Sequence, residues 1–259
     1  MKVAVTGKGG VGKTTLASLL ARLYGAEGRS VIAIDADPDA NLASALGIPP
    51  EEAAAITPIA DMDELIEERT GAKPGTSAPY FRLNPRVDDI PERFSARVDG
   101  VKLLRMGTVR RGGGGCVCPE SALLKSLLTH VLLRTPEVVI IDMEAGVEHL
   151  GRATASGVDA LIVVVEPGRR SLQTAEQIRR LAQDIGLSRI YVVGCKVQNQ
   201  ADRDFIAESL TGLPIIGYLS FSQAIMESDR KGLSVYEADV KAVQEAREIK
   251  SRLEQLQAR

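Results

Sequence analysis

The segment Gly7-Lys8-Gly9-Gly10-Val11-Gly12-Lys13-Thr14 restricts this chain more than any other. It satisfies G-x-x-x-x-G-K-[ST], follows the apolar run Val3 to Thr6 directly, and opens a helical pattern over Lys13 to Tyr24. Glycines let consecutive backbone N–H groups curl around phosphates, and a helix N-terminus adds positive potential there. Lys13 is placed to reach the β- and γ-phosphates, and Thr14 to set its hydroxyl on Mg²⁺. The segment predicts a nucleotide site built from Gly7, Lys8, Gly9, Gly10, Val11, Gly12, Lys13, Thr14 and Thr15. A strand, a glycine loop and a helix in that order also require a parallel sheet.

The remaining chain supplies one. Nearly all-apolar runs at Val31 to Ile34, Val101 to Arg105, Val138 to Ile141, Ala160 to Val165, Ile190 to Val193 and Ile215 to Tyr218 read as strands covered on both faces. Helical patterns lie between them at Pro119 to Leu133, Gln173 to Ile185, Asp202 to Leu210 and Asp239 to Leu256. In the last, Val240, Val243, Ala246, Ile249, Leu253 and Leu256 are spaced for one buried stripe. The alternation predicts an α/β fold, a three-layer doubly wound mostly parallel sheet, as a single domain over 1–259. Two stretches break it. Residues 49–99 show one weak helix, Asp61 to Arg69, and otherwise read as irregular; residues 110–119 begin with Arg110-Arg111 and four glycines.

Charge narrows the partners. Lys+Arg 32 against Asp+Glu 34 gives a net charge of -2, without the basic excess that sequence-independent nucleic-acid binding needs. No apolar run approaches the roughly 20 residues of a membrane span, and the N-terminus shows no signal-peptide pattern. Three cysteines make a disulfide framework improbable. These features predict a cytoplasmic protein without nucleic-acid or membrane partners.

Two acidic sites fall at strand ends, where ligands of open α/β sheets bind. One is Asp35-Ala36-Asp37-Pro38-Asp39; the other is Asp142, which closes Val138-Val139-Ile140-Ile141. An apolar strand ending in Asp, in a chain with a phosphate loop, points to Mg²⁺ held through water at Asp142 together with Thr14. Cys116 and Cys118 stand one residue apart before a helix that starts at Pro119. A helix N-terminus favours the thiolate that a metal requires. The pair also fits incidental thiols or a redox couple. As metal ligands, two thiolates do not close a site that prefers about four. A two-fold dimer doubles them.

Lys8-Gly9-Gly10-Val11-Gly12-Lys13-Thr14-Thr15 resembles the deviant phosphate loop of the MinD/ParA/nitrogenase-iron-protein superfamily of P-loop NTPases. That resemblance implies a homodimer in which Lys8 reaches the partner's ATP, and an Asp37 that orients the attacking water. The implied catalytic set is Lys8, Lys13 and Asp37. After Ile190 to Val193 the superfamily usually offers an Asn-Lys pair that reads adenine; this chain has Gly194-Cys195-Lys196-Val197-Gln198-Asn199. Cys195 cannot make the paired contacts of an amide, so Asn199, backbone groups or the Ile215-to-Ser222 segment are left to read adenine, with Lys196 and Asn199 expected to bind the nucleotide. Cys116-Val117-Cys118 with Asp142-Met143-Glu144-Ala145-Gly146-Val147-Glu148-His149-Leu150 narrows the resemblance to the CooC/AcsF family. Membership implies an ATPase metallochaperone that binds Ni²⁺ (Zn²⁺ may substitute) through Cys116 and Cys118, dimerises on ATP or metal binding, and serves carbon monoxide dehydrogenase or acetyl-CoA synthase. Glu144, Glu148 and His149 would relay nucleotide state or simply start a helix. Two other functions compete: an iron–sulfur carrier or reductase with a dimer-bridging cluster, and a MinD/ParA-like spatial regulator.

Overall fold

The computed structural model describes residues 1–74, 80–108, 118–147 and 150–258. Within them, eight strands form one sheet: β1 Lys2–Thr6, β2 Val31–Asp35, β3 Ala96–Val98, β4 Val101–Arg105, β5 Val138–Asp142, β6 Ala160–Val165, β7 Ile190–Val197 and β8 Ile215–Ser220. Their order is β3-β4-β2-β5-β1-β6-β7-β8. Only β3 runs antiparallel to its neighbour. The sheet is mostly parallel, as its continuous apolar strands require.

Helices cover both faces. Lys13–Ala26 and Val240–Gln257 pack on one side, where Leu16, Leu19, Leu20, Leu23 and Tyr24 are fully buried against β1, β2 and β5 residues. Each such side chain contributes about 1.5–3 kcal/mol of burial, which is what holds the helix behind the glycine loop. Pro119–Arg134, Arg169–Asp184 and Gln200–Ser209 cover the other side. Among the described residues no helix is long and apolar enough to cross a membrane.

The winding places the site. From β1 the chain moves to one side through β2, β4 and β5, then to the other through β6, β7 and β8. The C-terminal ends of β1, β2 and β5 therefore converge. Val5 lies in register with Asp142, and Asp142 with Asp35. Met143 N donates to Val5 O at 2.9 Å and Ala36 N to Asp142 O at 2.9 Å, so the loops leaving three strands start from fixed points.

Two expectations need correction. The 49–99 stretch holds more regular structure than one weak helix: Pro50–Ala55, a 3₁₀ turn at Ile59–Asp61, Asp63–Thr70, Ile90–Arg93 and edge strand β3. Pieces of three to six residues are too short to display an apolar period, so composition reads them as loop. In the last helix, Val240 is 84% exposed. The buried stripe there starts at Ala242 and runs through Ala246, Ile249 and Leu253, because Val240 occupies the first position beside the Asp239 cap.

Candidate nucleotide-binding site

The glycine loop leaves β1 in conformations that other residues resist. Gly7 has φ +148°, and a Cβ on it would stand 2.3 Å from the carbonyl oxygen of Val164. Gly12 has φ +105° and occupies the N-cap of the Lys13–Ala26 helix without any side-chain cap. The helix N-terminus thus keeps its first amides free to face an anion.

Lys13 and Thr14 begin that helix with opposite duties. Lys13 is only 7% exposed, and its Nζ lies 3.4 Å from Asp37 Oδ2. The other Asp37 oxygen accepts from Asp39 N at 3.0 Å, which fixes the turn after β2. Thr14 Oγ1 donates to Asp142 Oδ2 at 2.6 Å, while Asp142 Oδ1 is buried with no hydrogen-bond partner. Burial pushes the Asp142 carboxyl up to about 7 against the opposing Thr14 hydrogen bond, and Asp35 beside it adds to the rise. Burial likewise lifts Asp35 to about 6, although Oδ2 of Asp35 accepts from Leu42 N at 3.0 Å and so caps the short Leu42–Ala45 helix.

A cavity of about 580 Å³ opens above these groups, within the size range of small-molecule sites. Gly9, Gly10, Gly12, Lys13, Thr14, Thr15 and Asp37 line it, so most of the predicted phosphate loop meets there. Gly7 and Val11 do not line it; Val11 is fully buried, and Gly7 packs on Val164. Lys8 is half-buried, and its side chain has no hydrogen-bond or ion-pair partner among the described residues. The sequence reading missed the opposite wall, made by Asn41, Ser44, Ile225, Met226, Leu233 and Val235. Met226 and Leu233 are large, apolar and exposed, and no period in the sequence marks them.

The base-side residues stand apart from this cavity. Cys195 is 3% exposed and lies beneath the phosphate loop, its Sγ 3.6 Å from where a Cβ on Gly12 would be. It is a core residue, and burial pushes its thiol up to about 12. Lys196 has φ +58° and pairs with Glu166 at 3.6 Å. Asn199 caps the Gln200–Ser209 helix, accepting from Asp202 N at 3.0 Å.

Thr6 links the loop to the segment after β5. Its hydroxyl lies 2.6 Å from Glu144 O and 3.0 Å from Gly146 O, and accepts from Gly146 N at 3.1 Å. Glu144 and Ala145 reach the cavity wall. Glu148 and His149 lie outside the described residues.

Of the thiol pair, Cys116 lies outside the described residues. Cys118 is half-buried at the N-cap of the Pro119–Arg134 helix, with Sγ 3.2 Å from Ser121 Oγ. The described residues contain no group of three or more His, Cys, Asp or Glu fit to hold a metal within one chain. At its other end this helix is tied to the strand that feeds the phosphate loop. Lys2 Nζ bonds Val131 O at 3.0 Å, Thr135 O at 2.9 Å and Glu137 O at 2.9 Å, and so caps the helix C-terminus.

Comparison with known proteins agrees with this geometry. The family model described as the CobQ/CobB/MinD/ParA nucleotide binding domain matches residues 2–235. The carbon monoxide dehydrogenase accessory protein CooC of Rhodospirillum rubrum is 53% identical over 237 residues, covering 92% of this chain and 90% of that protein. The chain belongs to the MinD/ParA nucleotide-binding family and to its CooC group. An uncharacterised ATP-binding protein of Methanocaldococcus jannaschii is 44% identical, with 96% of each chain covered. Among solved structures, a chain of the MinC:MinD cell division protein complex of Aquifex aeolicus superposes with a TM-score of 0.70 at 19% identity, covering 98% of this chain and 96% of that one. A ParA family ATPase of Chlorobium tepidum gives 0.69 at 18%, covering 97% of each. At such identities the likeness is one of fold. In this CooC-group chain, the elements shared with MinD and ParA are the sheet and helices that present the loop.

Proposed function

We propose that this chain is an ATP-hydrolysing, homodimeric accessory protein that carries nickel for carbon monoxide dehydrogenase or acetyl-CoA synthase, in the cytoplasm and without nucleic-acid or membrane partners. The observation that carries the reading is the 53% identity to CooC along nearly the whole chain. The site supports its chemistry. Lys13 and the amides of Gly9 to Thr15 would hold the phosphates of ATP. The orphaned Asp142 Oδ1 beside the Thr14 hydroxyl suits Mg²⁺ with its water shell. That ion, when bound, neutralises phosphate charge. Asp37, at the cavity wall, would orient the water that attacks the terminal phosphate, giving ADP and phosphate. Lys8, half-buried and unpaired, is available to the nucleotide of a second protomer.

The cargo would sit between protomers. Cys116 and Cys118 from each give four thiolates, the number a soft-ligated ion prefers. Zn²⁺ would compete with Ni²⁺ for them. ATP would draw the protomers together, and hydrolysis would loosen them and release the ion to the client.

Anaerobic titration of the full chain with Ni²⁺ and Zn²⁺, with and without nucleotide, tests the assembly. The expected result is one ion per two protomers, tighter with ATP, and abolished by Cys118→Ser while ATPase activity survives. Tight binding of one ion per protomer to a monomer would overturn the shared site. A brown, iron-containing protein after anaerobic purification would favour the iron–sulfur carrier instead.

A further inference from the structure

A second cavity, larger than the nucleotide site, lies apart from it. It is a groove of about 1180 Å³ between residues 83–88 and the exposed face of the Pro119–Arg134 helix. The helix supplies two adjacent rows to its floor, Ser121, Lys125 and Thr129 in one, Ala122, Ser126, His130 and Arg134 in the other. The groove therefore begins one turn from Cys118 and follows the helix to its end.

Its charge is one-sided. On the far wall Arg86 holds Asp88 through two hydrogen bonds, of 2.7 and 3.0 Å, and that pair neutralises itself. Among the described residues of the lining Asp88 is the only acid. The side chains of Lys125 and Arg134 have no ion-pair or hydrogen-bond partner among the described residues. A solvated helix face commonly answers such cations with acids three or four positions away. This helix has one acid, Glu120 in its first turn, and none beside Lys125 or Arg134. Leu83, exposed on the opposite wall, adds an apolar contact.

We propose that this groove docks an extended, acidic segment of the client enzyme, holding the client next to the thiol end of the helix. The inference rests on the client reading above. Lys125 and Arg134 are nine residues apart, which is about 13 Å along a helix. They also lie half a turn apart around a helix about 11 Å wide, so their charged ends are about 17 Å apart. An extended chain advances about 3.3 Å per residue, so two acids about five residues apart, on a chain crossing the helix obliquely, match the two cations. Two cations at that spacing are too few and too far apart to follow a nucleic-acid backbone, with a negative charge about every 3.4 Å per strand.

The test uses the full chain and two fluorescein-labelled peptides that share a leucine-containing sequence. One carries two aspartates five residues apart; the other carries asparagines there. Anisotropy should show the wild type binding the aspartate peptide at least tenfold more tightly than the asparagine peptide, with affinity falling as salt rises. Lys125→Glu/Arg134→Glu should weaken that binding about tenfold or more. The milder Lys125→Gln/Arg134→Gln guards against a folding defect, and Arg247→Glu, on the helix covering the other face of the sheet, should change nothing. Absence of binding, equal binding of both peptides, or unchanged affinity in both double variants would overturn the docking groove. So would loss of self-association, rather than of peptide binding, in those variants, since it would assign the face to a second copy of this chain. Binding of the apo carbon monoxide dehydrogenase is measured separately. If the wild type fails to bind it, the client reading falls, while the peptide result still decides the groove.

Discussion

Thr14 and Asp142 are 128 positions apart in sequence, yet the Thr14 hydroxyl donates to Asp142 Oδ2 at 2.6 Å. That contact joins the start of the phosphate helix to the end of β5. It leaves the second carboxylate oxygen buried and unpartnered, in a protein whose phosphate loop sits directly alongside.

The first prediction follows from the proton that Asp142 keeps. Its folded pKa of about 7 lies above the ordinary carboxylate value, so the folded chain binds a proton that the unfolded chain releases. The stability from that proton is full at low pH and is lost as pH rises through 7. Asp142→Asn has no charge to bury. Without ligand it should melt higher than the wild type at pH 8, by about 1 kcal/mol or more, with the gap closing toward pH 5. It should also lose the stabilisation that Mg²⁺ adds to nucleotide binding. Calorimetry across that pH range checks both, and equal melting at pH 8 would show that the buried carboxyl ionises freely.

Asp37 and Lys8 separate chemistry from assembly. Asp37 touches Lys13 at 3.4 Å but contributes no strand or core contact, so Asp37→Asn should bind ATP and fold normally. Its turnover should fall by about 10²-fold or more, the scale expected when a positioned catalytic group is removed. An ATP-bound dimer should then persist on a sizing column. Lys8→Ala should still bind ATP through Lys13 but stay monomeric. Normal ATP-dependent dimerisation of Lys8→Ala would remove the cross-subunit role.

Much of this architecture was legible because its cause is local. β-branched runs such as Val138 to Ile141 and Ala160 to Val165 specify buried strands wherever they occur, and the glycine loop specifies its own turn. What stayed hidden depends on residues brought together from afar. Nothing in the sequence marks Thr6 as the anchor for Glu144 and Gly146, or Lys2 as the cap of a helix ending at Arg134. Lys250 is another case. A lysine on an apolar stripe looks misplaced, yet it is buried beside Glu27 at 2.9 Å and Glu254 at 3.0 Å, and lies 4.5 Å above the Tyr24 ring. Cys195, read as a base-pocket residue, is core for the same reason: β7 passes under Gly12.

Asn199 offers a clean separation of roles. Its side-chain oxygen caps the Gln200–Ser209 helix through Asp202 N. Asn199→Ala should cost about 1 kcal/mol of stability, the ordinary value of a lost N-cap. If capping is its whole role, the preference for ATP over GTP should be unchanged in competitive binding. A collapse of that preference would assign Asn199 to adenine as well.

The last prediction concerns Thr6. Its hydroxyl serves Glu144 and Gly146 at once, and both lie on the segment that runs from Asp142 toward Glu148 and His149. Thr6→Val keeps the shape and removes the hydroxyl, leaving buried backbone groups without partners at a cost of about 1–3 kcal/mol. Thr6→Ser restores the hydroxyl and should recover most of it. The segment carries Glu144 to the cavity wall, so its loosening should reach the site. Thr6→Val should lower kcat for ATP more than it raises KM, because Lys13 and the loop amides that bind the phosphates are untouched. Steady-state kinetics on the two variants, alongside melting curves, read the two effects independently. Equal kcat in Thr6→Val and wild type, with the stability loss present, would confine Thr6 to holding the fold together.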